Sequence, residues 1–282
     1  MRVVRAEQAG ACYGVQRALD LAMQSVQDGG QACTLGPLIH NPRVVARLEK
    51  HGVRAVGSLD EAHESETVVI RSHGVTPEVK RSVQQRGLPM VDATCPHVAR
   101  AQKAAANLAR KGMQVIVVGE AGHPEVEGLF ACACEASSNP TRVTIVATPD
   151  DLPEQLHPPV GVVVQTTQTR AALDAVLDAL RDLGVNPEVK DTICFATRQR
   201  QEAAAALADQ VDAFVVIGGR NSSNTTRLAD ICRARCARTH HVEDAQELDP
   251  AWFEGCQTIG VTAGASTPED QIAAVEEALK RL

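Results

Sequence analysis

The sequence predicts an α/β protein made of three pseudo-repeated α/β lobes with parallel sheets. Two observations carry this expectation. First, Cys12, Cys95 and Cys194 each open an alanine-rich helical pattern, and they stand 83 (12 to 95) and 99 (95 to 194) residues apart. Second, short apolar runs between them stop in polar loops and re-enter helical patterns. Strand–loop–helix repetition points to parallel sheets covered by helices, and recurrence at a similar spacing points to an internal repeat. The expected segments are 1–95 led by Cys12, 96–193 with Cys95 at its boundary, and 194–282 led by Cys194.

Along the chain, Cys12 leads Tyr13-Gly14-Val15-Gln16-Arg17-Ala18, and Thr34-Leu35 then runs through Ile39 to His40-Asn41-Pro42. Val68-Val69-Ile70 leads to Ser72-His73-Gly74 and a helical pattern from Pro77. Cys95 precedes Pro96, a residue suited to the first turn of a helix. Val115-Ile116-Val117-Val118 leads to Gly122-His123-Pro124-Glu125, and Val162-Val163-Val164 to Gln165-Thr166-Thr167. Beyond Cys194, Phe214-Val215-Val216-Ile217 leads to Asn221-Ser222-Ser223-Asn224 and a helix through Arg227 and Leu228. Ile259-Gly260-Val261 leads to Thr262-Ala263-Gly264-Ala265-Ser266 and a helix from Pro268. A β-branched residue stands three positions after each of the three cysteines (Val15, Val98, Thr197), with arginines soon after. Parallel sheets present functional loops at the carboxyl ends of their strands, which is where His40, His73, His123, Thr166, Ser222, Asn224 and Ser266 fall.

Composition narrows the function. A net charge of −7 and only six aromatic residues argue against a nucleic-acid surface, which needs a basic face and stacking platforms. Charges or Gly/Pro interrupt every apolar run well short of a membrane span, and the start lacks the apolar stretch of a secretory signal. A cytoplasmic location without membrane attachment is expected. Nine cysteines, an odd number, do not read as a disulfide framework in such a chain.

Helix N-termini favour thiolate, so three cysteines in matching positions suit a metal centre. A 4Fe–4S cluster normally takes four cysteines, and three would leave one iron open to a substrate oxygen. Zinc, with three cysteines and a histidine, remains an alternative on spacing alone. Asn221-Ser222-Ser223-Asn224 ahead of a helix offers the groups of a phosphate seat, and taken alone also reads as a plain helix cap. Ser266 before Pro268 has the same two readings. His40, His73 and His123, each of which singly could be a satisfied loop histidine, recur at strand ends and together fit an anion. Glu125, two residues after His123, suits proton delivery, or equally a first-turn carboxylate. The Pro-Cys-x-x-Cys partner of zinc deaminases is absent, as are a P-loop, Gly-x-Gly-x-x-Gly and His-Glu-x-x-His.

In combination these residues resemble the 4-hydroxy-3-methylbut-2-enyl diphosphate reductase family, which ends the methylerythritol phosphate route to isoprenoids. The motifs are Ala11-Cys12-Tyr13-Gly14-Val15, Gly36-Pro37-Leu38-Ile39-His40-Asn41, Ser72-His73-Gly74-Val75 and Asp92-Ala93-Thr94-Cys95-Pro96. They continue in the family's order with Gly122-His123-Pro124-Glu125-Val126-Glu127-Gly128, Gln165-Thr166-Thr167, Ile193-Cys194-Phe195-Ala196-Thr197, Asn221-Ser222-Ser223-Asn224 and Thr262-Ala263-Gly264-Ala265-Ser266.

The resemblance implies a cloverleaf of the three lobes around one 4Fe–4S cluster on Cys12, Cys95 and Cys194. It implies a diphosphate gripped by His40, His73, His123, Ser222, Ser223, Asn224 and Ser266, with Thr166 also at the substrate. Catalysis would fall to Glu125, Thr166 and His123, and single electrons would come from ferredoxin or flavodoxin. Many relatives have Gly-Phe-Cys-Ala-Gly-Val where this chain has Gly10-Ala11-Cys12-Tyr13-Gly14-Val15, and some carry a tail where this chain stops at Leu282. The competing expectations are a quinolinate synthase-like iron–sulfur dehydratase and a non-catalytic iron–sulfur or zinc sensor of a phosphorylated ligand.

Overall fold

The computed structural model describes residues 1–27 and 29–282. Its strands are β1 (Arg2–Arg5), β2 (Ala32–Leu35), β3 (Val53–Val56), β4 (Thr67–Ile70), β5 (Met90–Asp92), β6 (Gln114–Val118), β7 (Val143–Val146), β8 (Val160–Val164), β9 (Glu188–Lys190), β10 (Ala213–Ile217), β11 (Thr239–Val242) and β12 (Thr258–Ala263). The α-helices are α1 (Tyr13–Gln24), α2 (Pro42–Lys50), α3 (Pro77–Gln85), α4 (Pro96–Arg110), α5 (Pro124–Ala136), α6 (Arg170–Asp182), α7 (Phe195–Ala208), α8 (Ser223–Arg233) and α9 (Glu269–Lys280).

The strands form three four-stranded sheets, ordered β3-β2-β4-β5, β7-β6-β8-β9 and β11-β10-β12-β1, and all their pairings are parallel. The predicted α/β class with parallel sheets is therefore what the chain adopts. The three orders are the same order, provided β1 counts as the fourth strand of the last sheet. Arg2–Arg5 pairs with Thr258–Val261 of β12, at the far end of the chain. A four-residue run at the chain's start carries no periodicity of its own to show this. The pairing also clarifies the repeat: each fourth strand (β1, β5, β9) leads into a cysteine and then a helix (α1, α4, α7).

The chain divides into two compact units. One comprises residues 1–16, 39–44 and 195–282 and contains the β11-β10-β12-β1 sheet; the other comprises 17–38 and 45–194 and contains the other two sheets. Successive strand side chains point to opposite faces, and a parallel sheet covered on both sides needs both faces apolar. In β6, Val115 and Val117 pack with Leu108 of α4 and Leu129 of α5, while Ile116 and Val118 pack with Leu173 and Val176 of α6. In β10, Phe214 and Val216 pack with Ala204 of α7 and Leu228 of α8, and Val215 and Ile217 with Ile272 and Val275 of α9. This is how a chain with few aromatics builds its cores: Val/Ile strands meet Ala- and Leu-bearing helices.

Candidate functional site

The three cysteines occupy equivalent positions. Cys95 is the N-cap of α4, with Pro96 at the first helical position, while Cys12 and Cys194 immediately precede α1 and α7. The carbonyls of Cys12 and Cys95 accept the first helical bonds, from Gln16 N–H at 3.0 Å and Ala99 N–H at 2.9 Å. Three positions on, Val15, Val98 and Thr197 are buried, which accounts for the β-branched recurrence. Each cysteine N–H is also held by a strand-end loop. Cys12 donates to the Ala265 carbonyl at 3.2 Å, Cys95 to Ser72 at 2.9 Å and Cys194 to Thr166 at 2.9 Å. These acceptors are, or directly precede, the expected site residues Ser266, His73 and Thr166.

Among the described residues no cysteine is in a disulfide, and Cys12, Cys95 and Cys194 are half-buried. Burial pushes the Cys33 thiol up to about 11, aided by the nearby Glu66 carboxylate, and the Cys232 thiol up to about 12. Burial likewise raises Cys132 and Cys134. These four are poor sources of thiolate. Three part-exposed thiols, each beside the unpaired N–H groups that begin a helix, have the donor chemistry of an iron–sulfur site.

In the larger unit, the loops after β4, β6 and β8 bring four expected residues together. His123 is the N-cap of α5, and its Nδ1 accepts the Glu125 N–H at 3.1 Å. In a neutral ring that leaves the proton on Nε2, where it can be donated to an anion. The His73 ring lies edge-on to His123, with centroids 5.6 Å apart. Glu125 is 1 % exposed, and its carboxylate accepts the Thr166 N–H at 2.6 Å and the Thr166 hydroxyl at 2.8 Å. Since the Thr166 carbonyl accepts from Cys194, carboxylate, threonine and cysteine backbone form one chain.

In the other unit, the His40, Ser222–Asn224 and Ser266 segments are tied together. Gly219 approaches His40 so closely that a Cβ there would lie 2.7 Å from the His40 carbonyl oxygen. Asn41, 1 % exposed, accepts from the Arg43 and Val44 N–H groups and so caps α2. Its Nδ2 donates to the Ser266 carbonyl at 2.9 Å and to Gln271 Oε1 at 3.0 Å. Gln271 Nε2 donates in turn to the Glu243 carbonyl, and Glu243 accepts the Arg220 N–H at 2.7 Å. Ser222 is the N-cap of α8 and accepts the Thr225 N–H at 3.4 Å. Ser223 and Asn224 lie in the first turn of α8, and the N–H groups of a helix's first turn point towards an anion placed there. Asn224 is 5 % exposed, yet neither polar atom of its side chain has a hydrogen-bond partner among the described residues. A buried amide without partners is costly unless a ligand completes it. Ser266 does not cap α9; Pro268 occupies that position.

Asn41 and Gln271 join this network without an expected role of their own. Asn before Pro and a helical pattern is a start signal that identifies Asn41 as a cap. No comparable signal marks Gln271.

A model of the family described as LytB protein matches residues 3–280. The 4-hydroxy-3-methylbut-2-enyl diphosphate reductase of Citrifermentans bemidjiense is 45 % identical over 287 residues, covering 98 % of this chain and 99 % of its own. That of Geotalea uraniireducens is 44 % identical over 285 residues, covering 100 % and 98 %. A solved structure of (E)-4-hydroxy-3-methyl-but-2-enyl diphosphate reductase, described as the terminal enzyme of the non-mevalonate pathway, is 41 % identical over the whole of both chains with a TM-score of 0.72. The Plasmodium falciparum E-1-hydroxy-2-methyl-but-2-enyl-4-diphosphate reductase structure shares the fold at a TM-score of 0.91 and 24 % identity, covering 100 % of this chain and 87 % of its own.

Proposed function

The chain belongs to the LytB protein family, and on that premise we propose that it reduces 4-hydroxy-3-methylbut-2-enyl diphosphate at a 4Fe–4S cluster held by Cys12, Cys95 and Cys194. The products are isopentenyl and dimethylallyl diphosphates. The bond between carbon and the allylic hydroxyl breaks, two electrons and two protons enter, and one water leaves. When bound, the cluster supplies the electrons and, at an iron without a protein ligand, a Lewis acid.

The remaining roles fall to side chains. His40, His73, His123, Ser222, Ser223, Asn224 and Ser266 bind the diphosphate. Glu125, oriented by Thr166, carries the proton to the leaving hydroxyl. His123 Nε2 donates to the phosphate and does not compete for Glu125. The supporting observation is the chain Glu125–Thr166–Cys194, in which one residue fixes both the carboxylate and the backbone of a cysteine. A proton source locked in this way keeps its placement relative to that cysteine, which is what positional catalysis requires.

Single electrons come from an iron–sulfur or flavin carrier protein of the ferredoxin or flavodoxin class, in the cytoplasm. No helix of the described residues is long and apolar enough to cross a membrane. Anaerobic reconstitution of the full chain with iron and sulfide, followed by product analysis with a viologen reductant, tests the proposal. Cluster formation and both products are expected. Unreduced substrate from a chain with a full complement of iron and sulfide would overturn the proposal.

A further inference from the structure

Two arginines hold the backbone just ahead of two of the cysteines. Arg200 on α7 is 5 % exposed; its Nη2 donates to the Gly10 carbonyl at 2.7 Å and its Nη1 to the Ala196 carbonyl at 3.1 Å. Gly10 lies two residues before Cys12. Arg17 on α1 donates through Nη1 to the Thr94 carbonyl at 3.1 Å and through Nη2 to the Asp92 carbonyl at 3.4 Å. Thr94 immediately precedes Cys95. The helix that Cys194 opens thus holds the approach to Cys12, and the helix that Cys12 opens holds the approach to Cys95. Arg100, five positions after Cys95, is exposed and donates no hydrogen bond to a described residue.

Burying a guanidinium, as at Arg200, is costly, and loop carbonyls such as those of Gly10 and Thr94 can be satisfied by backbone or water. A planar, always-charged fork spent on such carbonyls therefore gains rigidity rather than solubility. Polar groups behind a metal ligand orient it and tune the metal. We propose that Arg17 and Arg200 are positioning residues for the cluster, each fixing the peptide that presents a cysteine. This rests on the assignment of the cluster to Cys12, Cys95 and Cys194.

The test follows release of cluster iron to a ferrous chelator, and the cluster's midpoint potential, in the full chain after anaerobic reconstitution. Arg17→Met and Arg200→Met should release iron faster by about 10–100-fold, the usual effect of losing such a partner, and should shift the potential. Arg17→Lys, which keeps a charged donor for one carbonyl, should recover most of the loss, and Arg100→Met should match wild type. Circular dichroism of the cluster-free chains checks folding, and if Arg200→Met does not fold, the Arg17 variants decide. Wild-type release and potential in the Met variants would overturn the inference, provided Cys95→Ser loses the cluster. Equal acceleration by Arg100→Met would also overturn it, since general charge would then explain the effect. A cluster retained by Cys95→Ser would instead overturn the cysteine assignment itself.

Discussion

Thr166 gives both of its donors to Glu125, the backbone N–H to Oε1 at 2.6 Å and the hydroxyl to Oε2 at 2.8 Å. The carboxylate is therefore held on both oxygens while buried, and its orientation does not depend on solvent. Glutamine at this position keeps the size and can still accept the Thr166 N–H, but it cannot give up a proton. Glu125→Gln should lower kcat by about 10²–10⁴-fold, the usual contribution of a positioned acid, with little change in substrate binding. Cluster content should be unchanged. Near-normal turnover at saturating reductant would remove Glu125 as the proton source.

Asn224 allows stability and binding to be separated. Its amide has no partner among the described residues, so replacing it with leucine removes a buried polar group that contributes nothing to the free chain. Asn224→Leu should leave the melting temperature unchanged or slightly raised. Hydrogen bonds to charged groups are worth about 1.5–3 kcal/mol, so affinity for the diphosphate should fall by about 10–100-fold. A lower melting temperature with unaltered binding would make Asn224 a structural residue.

Gly264 lies where the loop carrying Ser266 leaves β12, and a Cβ there would collide with the Thr225 hydroxyl of α8. The buried Thr225 hydroxyl has no hydrogen-bond partner among the described residues, so it does not stabilise the loop by bonding; the constraint is volume. Gly264→Ala should destabilise by about 1–3 kcal/mol, the usual cost of overpacking. Adding Thr225→Ala should recover part of that loss in a double-mutant cycle. Additive effects in denaturant titrations would show that the two positions do not interact.

Glu66 is expected to contribute to acid stability in the larger unit. Its side chain pairs with Arg54 at 2.7 Å and accepts the His63 N–H at 2.8 Å. The Arg54 hydrogen bond, opposed by burial and aided by the His63 N–H, lowers its carboxyl from 4.5 to about 2. A carboxylate depressed in the folded chain stabilises above its unfolded value, and that contribution is lost as pH falls towards the folded value. Stability should therefore decline from about pH 4.5 towards pH 2. Glu66→Gln should lower stability at neutral pH and flatten this acid limb. Parallel acid limbs in the two proteins would locate the effect elsewhere.

Local signals carried much of this protein. β4, β6, β8, β10 and β12 and the helices after Cys12, Cys95 and Cys194 fall where apolar runs and helical patterns place them. Pro42, Pro77, Pro96 and Pro124 each begin a helix, so their preceding residues stand at loop–helix junctions. His123, Glu125 and Thr166 were legible as strand-end polar groups, because functional loops of parallel sheets gather at the carboxyl ends of the strands. Their mutual bonds were not. The amino-terminal strand escaped because four residues have no period to detect, and its partner lies at the other end of the chain.

By itself, then, the sequence determined which residue types stand at which strand ends and which cysteines open helices, since backbone preference and burial pattern are properties of neighbouring residues. Only the tertiary structure decided that β1 completes the last sheet, that Asn41 reaches the Ser266 carbonyl, and that Arg17 and Arg200 hold the approaches to Cys95 and Cys12. Those contacts span 225 positions in the case of Asn41 and 256 (2 to 258) in the case of β1. They form only when closing such loops is offset by burial of whole sheet faces, a balance that no local window contains.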